Sequence, residues 1–135
     1  MSLHDGDAMT DDSDSQYQLA LGYEKGVETT QNVRAAGIHY RRAAEAGHVD
    51  AQLAMARICL IGKGVKQDME EAAQWYMRAA EQGSPEAQFN LGEMFARGTG
   101  VCKDRKKAEF WFRRAEAAGH VEATERLSDL QRERN

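Results

Sequence analysis

Two short segments carry the residue types of a phosphate-binding loop: "GKGVKQD" at residues 62–68 and "GTGVCKD" at residues 98–104. Closely spaced glycines beside a lysine let backbone N–H groups and an ammonium converge on an anion, which is the chemistry of nucleotide binding. Such a loop normally follows a strand and completes GxGxxG or GxxxxGK[ST]. Neither segment does so, and both follow amphipathic helical patterns. One nucleotide site also has no use for two copies in register. Gly62, Gly64, Gly98 and Gly100 are therefore expected to supply positive backbone dihedrals and close approach at a corner, with Val65 and Val101 tucked beneath.

The other reactive residue types form no catalytic set. There is no SxxK, GxSxG or HExxH, so no nucleophile or metal-bound water is indicated. Cys59 and Cys102 belong to no CxxC pair, and no Cys/His cluster has metal-ligand spacing; neither a metal nor another cofactor is expected. His48 and His120 recur after a turn glycine, His39 takes the place that Trp75 and Trp111 hold, and His4 lies near the N-terminus. The stretch "KDRKKAEFWFRR" at 103–114 mixes basic and aromatic residues as an RNA-binding surface does. Yet Ala108, Trp111 and Ala115 share one helical stripe, which makes the tryptophan a core residue, as Trp75 is, and leaves Lys103, Arg105, Lys106 and Lys107 outside.

These residues must be positioned by a chain of 135 residues, enough for one small domain with a core. Hydrophobic residues make up 41% and charged residues 30%, with a single Pro, which is a soluble, helix-rich composition. The net charge of −4 is concentrated in "MSLHDGDAMTDDSD", residues 1–14, which hold five Asp and no Lys or Arg. That segment has little to bury and is expected to be a disordered, solvated leader. The remaining body is close to neutral, which argues against a nucleic-acid partner. No apolar run approaches the length of a membrane helix, and no secretion signal is visible, so no membrane partner is expected. With only two cysteines, a reducing, cytoplasmic setting follows.

Internal repetition organises the rest. Residues 51–86 align on 87–122 without a gap at an offset of 36, with identities including Ala51/Ala87, Gly62/Gly98, Gly64/Gly100, Asp68/Asp104, Trp75/Trp111 and Gly83/Gly119. Residues 15–50 form a third, degenerate copy in which Asn32, Ala36, Tyr40, Arg42, Ala43 and Gly47 keep register. A fixed period of this length marks a solenoid. In each unit a first helix, about 51–61, carries Ala51, Met55, Ile58 and Cys59 on one face and stops at Gly62. A second helix, with Asp68 as N-cap candidate, carries Ala72, Trp75, Tyr76 and Ala79. Pro85 suits the first turn of the next helix. The unit is an antiparallel helical hairpin. Residues 123–135 repeat the first-helix frame and cap the array, giving seven helices.

The stretch "LGEMFARGTGVCKDRKKAEFWFRRAEAAGH" resembles the Sel-one-like repeat, a relative of the tetratricopeptide repeat, and the resemblance extends over residues 15–122. It implies an all-α fold, a right-handed α-α superhelix of three hairpins, and non-catalytic adaptor or scaffold work in protein complexes, often in bacterial signalling. Repeat one departs from the pattern: "GVETTQN" lacks the second glycine, and Gly37 falls inside its second helix at a cost of about 0.5–1 kcal/mol against Ala. Secreted members carry paired cysteines within a repeat; here Cys59 and Cys102 occupy non-equivalent positions, and no disulfide between them is expected.

By the same resemblance the first helices line the concave side. The candidate partner-binding groove then consists of Tyr17, Leu21 and Glu24 in repeat one, Leu53, Arg57 and Leu60 in repeat two, and Phe89, Asn90, Glu93 and Arg97 in repeat three. Apolar anchors beside orienting polar groups suit an extended or helical segment of a partner protein. The alternative for Leu53, Leu60 and Phe89 is ordinary packing between helices. Alternative functions are a self-associating structural module and, with less support, binding or hydrolysis of cell-wall-type glycan or peptide.

Overall fold

Side-chain caps and turn glycines set the helix limits in this chain. The computed structural model describes residues 2–26 and 32–134. Among them are seven helices and no strand: α1 (Ser2–Lys25), α2 (Val33–Glu45), α3 (Val49–Ile61), α4 (Met69–Glu81), α5 (Pro85–Arg97), α6 (Arg105–Ala117) and α7 (Val121–Arg134). The Asn32 and Asp104 side chains accept from the N–H groups of Ala35 and Lys107 at the starts of α2 and α6. His48 Nδ1 and Ser84 Oγ do the same for α3 and α5, and Pro85 stands in the first turn of α5. Each such bond satisfies one orphan donor, a contribution of about 1 kcal/mol. At the other end of α2, α4 and α6 the turn N–H groups fold back onto the last carbonyls, as in His48 N to Ala43 O at 3.1 Å and Ser84 N to Ala79 O at 3.2 Å.

The helices divide into two compact units, Met1–Asp68 and Met69–Asn135. In the first, α2 packs against both α1 and α3; in the second, α5 packs against α4 and α6, and α6 against α7. Small residues permit the close approach: Ala43, Ala44 and Ala51 are fully buried in the first unit, and Ala79, Ala80 and Ala87 in the second. Gln52 and Gln88, also buried, send their Nε2 groups to Ala44 O at 3.1 Å and Ala80 O at 3.2 Å. The "AQ" pair that opens the second and third copies is thus a buried small residue followed by a strut to the preceding helix. The expected core residues Trp75 and Trp111 are 5% and 8% exposed, and α7 buries Ala123, Leu127 and Leu130.

Helix α1, Ser2–Lys25, takes in the acidic segment at its start. Asp12 and Asp14 have partners there: Gln16 Nε2 reaches Asp12 Oδ1 at 3.5 Å, and Asp14 Oδ1 lies 3.1 Å from His48 Nε2. The variant loop of repeat one, residues 27–31, lies outside the described residues.

The paired glycines do two separate tasks. Gly62 and Gly98 are left-handed C-caps of α3 and α5, with φ of 74° and 73°. Gly64 and Gly100 are also left-handed, and each lies flat against the start of an earlier helix. A Cβ at Gly64 would stand 2.2 Å from Val33 O, and one at Gly100 would stand 2.2 Å from Met69 O. The second glycine therefore docks a loop on the helix of the preceding hairpin. Gly37 belongs to the same contact, since a Cβ there would meet Val65 Cγ1 at 3.0 Å. Its helix-propensity cost makes room for the valine that tucks in from the loop.

Candidate functional site

The candidate residues of the first unit lie on α1 and α3. Glu24 and Arg57 are brought together: Arg57 Nη1 donates to Glu24 Oε2 at 2.9 Å and Nη2 to Oε1 at 3.1 Å, a two-pronged pair. Lys63 Nζ adds a contact to Oε2 at 3.1 Å, and the Tyr40 hydroxyl donates to Oε1 at 2.6 Å. The Glu24 side chain is 11% exposed and Arg57 44%, so the acid is locked while the guanidinium keeps a solvent face. Tyr17 stacks on His48 with ring centroids 4.6 Å apart and tilts onto Tyr40 at 5.8 Å. Leu21, Leu53 and Leu60 are half-buried, and the Leu60 carbonyl accepts from Gln67 Nε2 at 2.7 Å.

Burial alone would raise the Glu24 pKa, but hydrogen bonds from Arg57, Tyr40 and Lys63 outweigh it and hold the carboxyl at about 2. For Tyr40, burial first and then the bond to Glu24 push the phenol well above its ordinary value. A carboxyl whose folded pKa lies below its ordinary 4.5 stabilises the fold fully above that value and loses the contribution as pH falls toward 2. Glu24→Gln is expected to cost about 2–3 kcal/mol at neutral pH and to flatten the fall in stability between about pH 5 and 2. Urea unfolding at a series of pH values checks this; equal stability and an unchanged slope in the variant would contradict it.

In the second unit the candidates lie on α5. Phe89 stacks on His120 at 4.5 Å and tilts onto Phe112 at 5.7 Å, repeating the Tyr17–His48 arrangement two copies later. Glu93 accepts from Arg126 Nε at 3.0 Å and lies 3.8 Å from Arg97 Nε. The Arg97 side chain is 69% exposed, and Asn90 is half-buried. Phe89 is thus both a packing residue and a partly open ring, and Arg97 is the most solvent-facing charge of this set.

Lys63, Tyr40 and Arg126 were not among the candidates although they complete both charge clusters. A signal for part of this exists in the sequence. Arg57 pairs with Glu24, and Arg126 with Glu93, across a separation of 33 positions in each case. That is the repeat period less one helical turn, so opposite charges at this offset mark neighbouring first helices.

Among the described residues no group of three His, Cys, Asp or Glu side chains could hold a metal, and no helix is long and apolar enough to cross a membrane. Cys59 is buried and Cys102 exposed, both as free thiols. What the two surfaces offer is half-exposed apolar groups held beside fixed charges.

Comparison with known proteins matches these features to a family. Residues 13–48, 49–84 and 85–120 each match the Sel1 repeat, the same 36-residue period set two positions earlier than the frame read from the sequence. The crystal structure of a Sel1 repeat protein from Oxalobacter formigenes is similar over 95% of this chain and 98% of its own, at 37% identity and a TM-score of 0.83. A protective antigen of uropathogenic Escherichia coli displaying an SLR fold matches at 35% identity and a TM-score of 0.84, over 93% of this chain and 27% of its own. Cysteine rich protein B of Helicobacter pylori is similar at 25% identity and a TM-score of 0.69, over 83% and 86% of the two chains. No curated protein matches the chain.

Proposed function

The chain belongs to the Sel1 repeat family, and from that premise we propose that it is a non-catalytic scaffold that holds a partner protein or peptide on its first helices. Members of this family generally serve protein–protein interaction, and the all-α repeat fold is theirs. The observation that carries the reading to particular residues is the pairing of half-open apolar groups with immobilised charge. In the first unit the half-buried Tyr17, Leu21, Leu53 and Leu60 share α1 and α3 with an Arg57 whose position Glu24 fixes. In the second, Phe89 and Asn90 accompany Glu93 and the exposed Arg97. Groups held before binding lose little conformational entropy on contact, which favours a specific complex. A cytoplasmic setting is consistent with the free, non-equivalent cysteines.

A photoreactive amino acid placed at position 53 or 90 tests the reading in cells, with position 132 as control. The expected result is one protein trapped from positions 53 and 90 and absent from position 132. Adducts only with a second copy of this chain would support self-association instead, and no adduct at either position would remove the first helices from consideration.

A further inference from the structure

The outer face of α2 holds a second surface, which the scaffold reading leaves unused. Arg34, Ile38, Arg41 and Arg42 recur at the spacing of one helical face, and the loop residues Gly64 and Val65 border it. Together with Glu45 they line a cavity of about 330 Å³ within the first unit. Three guanidinium groups face one carboxylate there. Arg34 and Arg42 are exposed and form no ion pair among the described residues. The floor is apolar: Ile38 is 50% exposed although it is a large aliphatic side chain, and the Val65 methyls sit against Gly37.

The arrangement is selective among the copies. At the position equivalent to Ile38, α6 places Phe110, 51% exposed, between Lys106 and the Arg113–Arg114 pair, and the Arg114 guanidinium lies 5.6 Å from the Phe110 ring centre. The same frame in α4 reads Glu70, Gln74, Met77 and Arg78, which is neither basic nor strongly apolar. Two of three copies thus share a feature that the repeat fold does not need. A large apolar group exposed among arginines is the pattern of a recognition surface.

We propose that the α2 cleft binds an acidic protein segment carrying one bulky apolar side chain. Carboxylates take bidentate contacts from Arg34 and Arg42, and the apolar side chain covers Ile38 and Val65. The cavity's size suits one side chain with flanking charge. This site is separate from the first-helix faces, so each proposal stands or falls alone.

A short fluorescein-labelled peptide of alternating Asp and Glu around a central Leu is the probe, titrated by anisotropy at low and physiological salt. Binding is expected to weaken by about tenfold or more in the double variant Arg34→Glu, Arg42→Glu and in Ile38→Ser, and to fall with salt. The milder Arg34→Gln, Arg42→Gln pair is expected to weaken it in the same direction with an unchanged melting curve. Replacing the peptide's Leu by Gly, or its acids by Lys, should weaken binding as well. Absence of peptide binding, or an equal loss in Arg132→Glu, whose side chain is 79% exposed elsewhere, would overturn the proposal. Binding of phosphatidylserine vesicles but not of the peptide would overturn it in favour of a lipid surface. Photo-trapping at position 53 should be unaffected by any of these α2 variants.

Discussion

Gly100→Ala is expected to destabilise the protein by about 3–5 kcal/mol, enough to unfold most of so small an array. Two costs add. Gly100 has φ of 74°, where a side chain pays about 1–2 kcal/mol. Its new Cβ would also stand 2.2 Å from the carbonyl oxygen and 2.7 Å from the carbonyl carbon of Met69, so the loop must leave the start of α4. Backbone cannot yield as a flexible side chain does, although Met94 Cε, 3.1 Å from the same Cβ, can. Gly98→Ala is the matched control: φ is 73°, but the nearest contact is Lys103 Cβ at 3.1 Å, and only the dihedral cost of about 1–2 kcal/mol is expected. Thermal and urea unfolding of both variants checks the difference. Equal effects would show that the second glycine serves its dihedral alone.

Trp111→Ala is expected to remove about 3–5 kcal/mol, the usual result of truncating a buried large aromatic. The ring is 8% exposed, packs edge-on against Phe110 at 5.0 Å, and has the Arg114 guanidinium 5.4 Å from its centre. A large fall in denaturant midpoint, with loss of the near-ultraviolet circular dichroism signal, is the expected measurement. An unchanged midpoint would contradict the core assignment.

The repeat period, the helix ends and the buried tryptophans were legible because each depends on local chemistry repeated at a fixed offset. Gly62 and Gly98 stop their helices as expected, whereas the caps at Asn32, Ser84 and Asp104 went unnamed in a reading that singled out only Asp68. What the glycine pattern alone could not convey was the division of labour, since the packing that leaves no room for a Cβ between Gly64 and Val33 O depends on a neighbouring hairpin. Gly37 likewise reads as a helix defect until Val65 is seen against it. The candidate surface was legible as a set of positions but not as a network. Glu24 and Arg57 were both chosen as partner-facing groups, yet the carboxylate spends its bonding capacity on Arg57, Lys63 and Tyr40. Those contacts join residues from different helices, and periodicity ranks residues by face without saying which charges meet.

Hydrogen–deuterium exchange of the chain, alone and with the protein trapped at position 53, tests the scaffold account most directly. The account predicts slowed exchange over Val49–Ile61 and Pro85–Arg97, with α4 unchanged. Protection confined to α4, or none above the free protein, would contradict it.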